Sequence, residues 1–363
     1  MKWFRLAAEQ GHAKAQMWLG YCYDNDDGVP EDMEEAIKWY RLSAEQGFAG
    51  GQVRLGAAYT DGELVPQDYE QAAKFYRLAA EQGDKQGQSQ LSNVLDRGRG
   101  VTKDRKESLK WLMLAAEQGE INSQIVLGSN YQFGKEVPQD DRQAMKWYRL
   151  AAEQGNHYAQ SVLGDFYAEG TVVSQDYKEA VRWYRLAAEQ GDEFSQAALG
   201  NMYAEGLVVS QDYKEAVKWY RLAAEQGCKS ALLILGNMYG EGQGVPQDEK
   251  EAMVWYGIAA SDGHADAHHS LGLIYIKGKG VTQDYVIAHM WFDLSVTMGR
   301  ASAEKDRAIA AGHMTLAQVA EAKAMALAWL IRSRPHLAHF ARHPSFRWWP
   351  RICQEYYPSY PEL

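Results

Sequence analysis

Two groups of side chains in this sequence have types and spacings that suit chemistry. Ser302 and Lys305 stand three apart, the spacing of the serine–lysine pair that penicillin-recognising enzymes use for acyl transfer. His264 and His268 are one helical turn apart, with Asp266 between them and His269 beside them. An i, i+4 pair of imidazoles can share one metal ion. Neither chemistry is supported by the surrounding residues. No Lys-Thr-Gly or Ser-Asp-Asn accompanies Ser302, and no Walker loop, Gly-x-Ser-x-Gly elbow or His-Glu-x-x-His occurs anywhere. His264 opens a helix at a place where other repeats carry Asp or Asn, so it is expected to be solvated or capping. The same discount applies to His336, His339 and His343. No catalytic residue, metal ligand or cofactor is assigned.

The remaining composition points the same way. The 363 residues are 46% hydrophobic and 24% charged, with a net charge of −10, as in an ordinary folded chain. The length exceeds one compact core, so several domains or a repeat array are expected. No basic stripe of the kind that binds nucleic acid is visible. Cys22, Cys228 and Cys353 are an odd, scattered set; they do not make a disulfide framework and favour a reducing compartment. No apolar run approaches the roughly 18–20 residues that span a bilayer. The first residues, MKWFRLAAEQG, lack a secretory apolar stretch. A cytoplasmic location is expected for the chain as it stands, and a periplasmic or secreted one if an export signal precedes Met1, because the chain opens within a repeat.

That repeat positions everything else. Gly11, Gly47, Gly83, Gly119, Gly155, Gly191, Gly227, Gly263 and Gly299 recur every 36 residues, which implies stacked supersecondary units. Residues 12–299 hold eight full units, after a partial helix in residues 1–11. Each unit reads as two helices. The second opens with Asp-x-x-Glu/Gln, as in Asp32/Glu35 and Asp68/Gln71, a capping box; only Asp284, facing Ile287, breaks it. The period glycine suits a left-handed helix end. Between these caps run two apolar columns, Trp39, Phe75, Trp111, Trp147, Trp183, Trp219, Trp255 and Trp291, and Leu42, Leu78, Leu114, Leu150, Leu186, Leu222, Ile258 and Leu294. Both columns are expected in the core. In the first helix a leucine, Leu19 to Leu271, is followed by glycine everywhere except Ser92, which predicts close approach of backbones. The third unit departs most, at Ser92, Leu95, Ser108 and Leu112, and looser packing is expected there.

The combined pattern, small-x-x-x-Leu-Gly-x-x-Tyr followed by Asp-x-x-Glu-Ala-x-x-Trp-Tyr-x-x-Ala-Ala-Glu-Gln-Gly, resembles the Sel-1-like repeat, a relative of the tetratricopeptide repeat, over residues 2–299. The resemblance implies an all-α fold, a right-handed α/α superhelical solenoid of 36-residue helix-turn-helix repeats, and adaptor roles in bacterial and eukaryotic systems. Residues 300–332 are expected to cap the array with further helices, since an end unit needs a polar-backed cover. Residues 333–363, with five of the nine prolines and seven aromatics, read as an irregular tail or as a segment docked through Trp348 and Trp349.

Columns that repeat are needed for packing, so positions that vary face solvent or a partner. On the first helix that stripe is Lys14, Met17, Tyr21 and their equivalents, including Asn93, Tyr158, Asp165, Phe194, Asn201 and Asn237. By analogy with tetratricopeptide-like superhelices it lines the concave groove. The expected function is a non-enzymatic scaffold that binds a protein or peptide there, with no nucleic acid and no membrane span, and with oligomeric state open. The alternatives are an envelope module that binds glycan or peptidoglycan, and a hydrolase of β-lactam or cell-wall compounds, which some relatives of the family suggest.

Overall fold

A computed structural model describes residues 2–333 apart from Leu64, Val208 and Val209. The expectations for Trp348, Trp349 and the three tail histidines lie outside the described residues. Nineteen helices run through the described residues: α1 (Lys2–Glu9), α2 (Ala13–Asp24), α3 (Met33–Glu45), α4 (Ala49–Asp61), α5 (Tyr69–Glu81), α6 (Lys85–Arg97), α7 (Arg105–Glu117), α8 (Ile121–Phe133), α9 (Asp141–Glu153), α10 (His157–Glu169), α11 (Tyr177–Glu189), α12 (Glu193–Glu205), α13 (Tyr213–Glu225), α14 (Lys229–Glu241), α15 (Glu249–Ser261), α16 (Ala265–Lys277), α17 (Tyr285–Thr297), α18 (Ala303–Ala311) and α19 (Leu316–Ser333). The protein is an all-α repeat solenoid. It divides into two compact units, Met1–Asp176 and Tyr177–Leu363. Within each, successive helices pack on one another, and in the first unit α4 also touches α2 and α6.

The second helices start where the sequence puts them, with one difference in chemistry. Asp32, Asp68, Asp104, Asp140, Asp212 and Asp248 each accept from backbone N–H groups of the first turn, and so does Asp284. The reciprocal half of a capping box is replaced. The N–H of Asp68 donates to the carbonyl of Tyr59 at 2.9 Å, and the other cap residues repeat this bond. The glutamate three residues on takes an indole instead: Trp39, Trp111 and Trp255 donate to Glu35, Glu107 and Glu251 at 3.0–3.2 Å. A reciprocal box forms at α19, where Thr315 N–H donates to Gln318 Oε1 at 2.9 Å and Gln318 N–H to Thr315 Oγ1 at 3.3 Å.

At the other end of the second helices the period glycines take positive φ, from 78° at Gly119 to 103° at Gly299. Around Gly155 nothing lies within 4 Å of an added Cβ, so backbone conformation alone selects glycine there. The glycines inside the first helices have a different cause. A Cβ on Gly20, Gly56, Gly200 or Gly236 would stand 2.5–2.8 Å from the ring of Tyr40, Tyr76, Tyr220 or Tyr256. The close approach is a ring laid on a backbone, rather than two backbones meeting.

The two apolar columns part company. Trp147, Trp183 and Trp291 are buried, at 5–7% exposure, and Trp39, Trp111, Trp219 and Trp255 are half-buried. The leucine column is not core over most of its length: Leu42, Leu78, Leu114, Leu150, Leu186 and Leu222 are 37–44% exposed. Leu42 follows Trp39 by three positions, so both lie on neighbouring strips of one helix. Only the strip turned to the adjoining helices is covered. Leu294 is the exception, fully buried in a cluster with Trp291, Ala310, Ala322, Met325 and Trp329 where α18 and α19 close on α17.

Between repeats runs a buried glutamine ladder. Gln16, Gln52, Gln88, Gln124, Gln160 and Gln196 are 3–4% exposed. Each donates Nε2 to a carbonyl near the end of the preceding second helix, at 3.0–3.5 Å. Five of them also accept from the glutamine of the next Glu-Gln-Gly: Gln46, Gln82, Gln118, Gln154 and Gln226, at 2.6–2.8 Å. Each of these carbonyls also accepts from the N–H of the period glycine, as Ala116 does from Gly119 at 3.0 Å, so the glutamine adds a second bond there and finds partners for its own buried amide.

Candidate functional site

The first helices present one face to solvent, and the candidate residues divide on it. Lys14, Asn93, Tyr158, Asp165, Phe194, Asn201 and Asn237 are exposed, while Met17 and Tyr21 are half-buried. Met17 packs on the cluster of Ala36, Tyr40 and Leu55. Its equivalents Val53, Ser161 and Ala197 are buried, so this place belongs to the interior. One residue on, Trp18 (41%), Gln90 and Val126 (46%) are exposed, and the equivalents in the other repeats are half-buried. In those three repeats a stripe at i, i+4, i+7 replaces the expected i, i+3, i+7. Both spacings stay on one helical face, and only packing distinguishes them.

Two of the candidates already have structural work. Asn201 Oδ1 accepts from the Tyr220 hydroxyl at 2.6 Å and Asn237 Oδ1 from the Tyr256 hydroxyl at 2.7 Å. Burial raises the Tyr256 phenol to about 12, and raises Tyr40, Tyr148 and Tyr220 still further, so these hydroxyls stay protonated donors. Tyr21 lies under the Arg54 guanidinium, 4.9 Å from ring centroid to carbon, with Trp18 edge-on at 5.6 Å. Tyr158 meets the Tyr148 ring edge at 6.3 Å. Phe194 is 68% exposed.

Clefts open on this face in each compact unit. In the first, a cleft of about 560 Å³ lies over α6, α7 and α8 and includes Asn93. In the second, one of about 830 Å³ lies over α12 and α14, includes Phe194 and Asn201, and is the more apolar of the two. A third, of about 540 Å³, sits on the second-helix side between α7 and α9, with Trp147 and Leu150 in its wall.

The chemical candidates are dispersed. Ser302 and Lys305 are both exposed at the start of α18. His268 is fully buried, its ring centroid 4.8 Å from Trp329 and 5.7 Å from Trp291. Its Nδ1 lies 2.7 Å from the carbonyl oxygen of His264. Burial lowers its pKa to about 4, so it is a neutral core side chain. His264, expected to be solvated or capping, is half-buried at the N-cap of α16 and makes no side-chain capping bond. His269 turns away to Asp306, 2.8 Å from Nε2 to Oδ2. Among the described residues no group of three or more His, Cys, Asp or Glu side chains is placed to hold a metal ion. No described helix is long and apolar enough to cross a membrane.

The glutamine ladder was not recognised from sequence, although the signal is there. Gln16/Gln46, Gln52/Gln82, Gln88/Gln118, Gln124/Gln154, Gln160/Gln190 and Gln196/Gln226 all keep a separation of 30, and both members change together at Leu232/Asp262 and His268/Met298.

Comparison with known proteins agrees with this architecture. The family model described as Sel1 repeat matches residues 1–12, 13–48, 49–84, 85–120, 121–156, 157–192, 194–228, 229–264 and 265–299. Among solved structures, a Sel1 repeat protein from Oxalobacter formigenes is 35% identical over 84% of this chain and 88% of its own, with a TM-score of 0.59. The protein c5321, a protective antigen present in uropathogenic Escherichia coli strains and displaying an SLR fold, is 31% identical over 94% of this chain and 89% of its own, with a TM-score of 0.40. Comparison with curated proteins returned no match. With nine matched repeats and the identity and coverage of the Oxalobacter formigenes protein, the chain belongs to the Sel1 repeat family.

Proposed function

We propose that this protein is a non-enzymatic scaffold whose exposed first-helix faces dock a protein or peptide. Sel1 repeats form a general protein-interaction fold. The observation that carries the finer reading is the division of the first helix. Its repeating positions, such as Leu19, Leu127 and Leu199, are fully buried, whereas its varying positions, Lys14, Trp18, Tyr158 and Phe194, are exposed. Exposed aromatic side chains, with Phe194 in the wall of an open cleft, supply large contact area at low entropic cost, as binding surfaces do. Nearest-neighbour interfaces between repeats hold that surface without a single central core.

The test pairs affinity capture with two variants. Tyr158→Ala with Phe194→Ala removes exposed aromatics from the first-helix face; Leu78→Ala with Leu186→Ala removes exposed side chains from the second helices. A protein retained by the wild type and the leucine variant but lost by the aromatic variant supports the reading. The opposite pattern moves the docking surface to the leucine column. Asn201 and Asn237 are unsuitable for this test, because their loss also strands the Tyr220 and Tyr256 hydroxyls.

A further inference from the structure

Most repeats lay a second-helix aromatic ring on the first-helix glycine and point it at a polar group near that helix's end. Tyr40 donates to Asp24 Oδ2 at 2.9 Å, Tyr148 to Gln132 Oε1 at 3.0 Å and Tyr220 to Asn201 Oδ1 at 2.6 Å, while Tyr76 and Thr60 share a bond of 3.0 Å. In the third repeat the ring is missing. Leu112 stands in its place, Ser92 replaces the glycine and Ser108 replaces an alanine.

These changes are concerted rather than loose. Ser108 Oγ donates to the Ser92 carbonyl at 2.8 Å and lies 3.0 Å from Ser92 Oγ, and both serines are buried, as is Leu112. The truncation nevertheless leaves space, and the cleft of about 560 Å³ has Ser92, Ser108 and Leu112 in its wall. The groups that would have received a hydroxyl are still present. Asp96 occupies the place of Asp24 and Asn93 the place of Asn201, and both line the cleft. The cations nearest Asp96, Lys103 and Arg105, stand at 3.9 and 3.8 Å, outside hydrogen-bond distance. Arg105 is drawn instead to Glu136 at 3.0 Å. Glu136 holds φ of 65° at a loop position where Gly100, Gly244 and Gly280 occur in other repeats. A side chain is kept there at a conformational cost, on the rim of the same cleft.

We infer that this cleft is a receptor for a tyrosine side chain of a partner polypeptide, which enters where the repeat's own tyrosine is absent and donates its hydroxyl to Asp96 or Asn93. The inference rests on the reading of the first-helix face as a docking surface, and it names the chemistry that one part of that face selects. The carboxylate acceptor favours a phenol over an unsubstituted ring, because a hydrogen bond to an ionised acceptor is among the stronger ones.

The probes are p-cresol, toluene and N-acetyl-tyrosine amide, titrated into the full chain and followed by protein-observed NMR. Saturable shifts at Ser92, Asn93 and Asp96 are expected with p-cresol and with the tyrosine amide, and toluene is expected to bind at least threefold more weakly. The variant Ser92→Gly/Ser108→Ala/Leu112→Tyr restores the neighbouring pattern, fills the space from within, and should abolish binding. Asn93→Trp, at an exposed site, should block the mouth without touching the interior and keeps the test open if the triple variant does not fold. No saturable p-cresol binding by the wild type, or undiminished binding by Asn93→Trp or a folded triple variant, overturns the inference. Binding of p-cresol without the tyrosine amide overturns the polypeptide ligand. None of these outcomes depends on capture of a protein, so the failure of this inference and the failure of the scaffold reading are separately visible.

Discussion

The repeats from α2 to α13 and the end formed by α16 to α19 use the same sequence positions for opposite chemistry. Along the regular repeats, the residue after the small first-helix position is a buried glutamine bonded to the preceding helix end, and the second-helix leucine is about two-fifths exposed. At the end, the glutamine place holds neutral His268 between Trp291 and Trp329, and the leucine place holds fully buried Leu294. In the regular repeats the glutamine adds a second bond to a helix-end carbonyl and meets a polar partner 30 residues on. In α14 buried Leu232 already makes the place apolar, and at the end α19 covers it with the apolar area of Trp329. Repeat architecture fixes where a side chain stands, and the neighbour fixes whether it should be polar.

Several substitutions break or sharpen this comparison. The largest effect is expected for Leu294→Ala, which should cost about 2–5 kcal/mol through lost burial and a residual cavity; the urea transition reads it, and a cost below about 1 kcal/mol would deny that α18 and α19 seal the column. Next comes pH. The folded pKa of His268 is about 4 against an ordinary 6.5, so between those values the unfolded chain binds a proton that the folded chain refuses. Its contribution is full above about pH 6.5 and is lost as pH falls toward 4, worth roughly 3 kcal/mol over the window. Burial also lowers His289, with the same sign. The difference between wild type and His268→Leu, followed through the urea midpoint from pH 7 to 4, isolates the His268 part; parallel curves would remove it.

In the regular repeats, Gln124→Ala removes one bond each from the Ala116 carbonyl and the Gln154 amide, which keep the Gly119 N–H and the Leu150 carbonyl as partners, and should cost about 0.5–1.5 kcal/mol. A neutral result would mean that water replaces the ladder. Gly155→Ala should cost about 1 kcal/mol from its left-handed backbone alone, since its surroundings are open; thermal unfolding measures it. Leu114→Ala, at a site 43% exposed, should cost less than about 1 kcal/mol. A loss equal to that of Leu294→Ala would show that the column is covered throughout.

Much of the fold was legible because it depends on local rules. The 36-residue period, the aspartate N-caps and the left-handed glycines follow from backbone groups that each helix must satisfy within its own turns. Of the candidate stripe only the exposure was legible, and in part: Lys14, Tyr158 and Phe194 are exposed, while Met17 is half-buried and Trp18 beside it is exposed. In the third repeat, where looser packing was expected, Ser92 and Ser108 are buried and bonded to each other beside the remaining cleft, a pairing that exists only when two helices meet.

Helical periodicity thus settled which residues share a face, where each helix begins and ends, and that the units stack, since all three follow from 3.6 residues per turn and a few obligatory backbone bonds. It left open which of two adjacent apolar strips is covered, whether Glu35 serves a backbone N–H or the Trp39 indole, and why glutamines recur 30 residues apart. Those outcomes depend on how neighbouring helices approach one another, where a burial or a hydrogen bond exists only once both surfaces are in place.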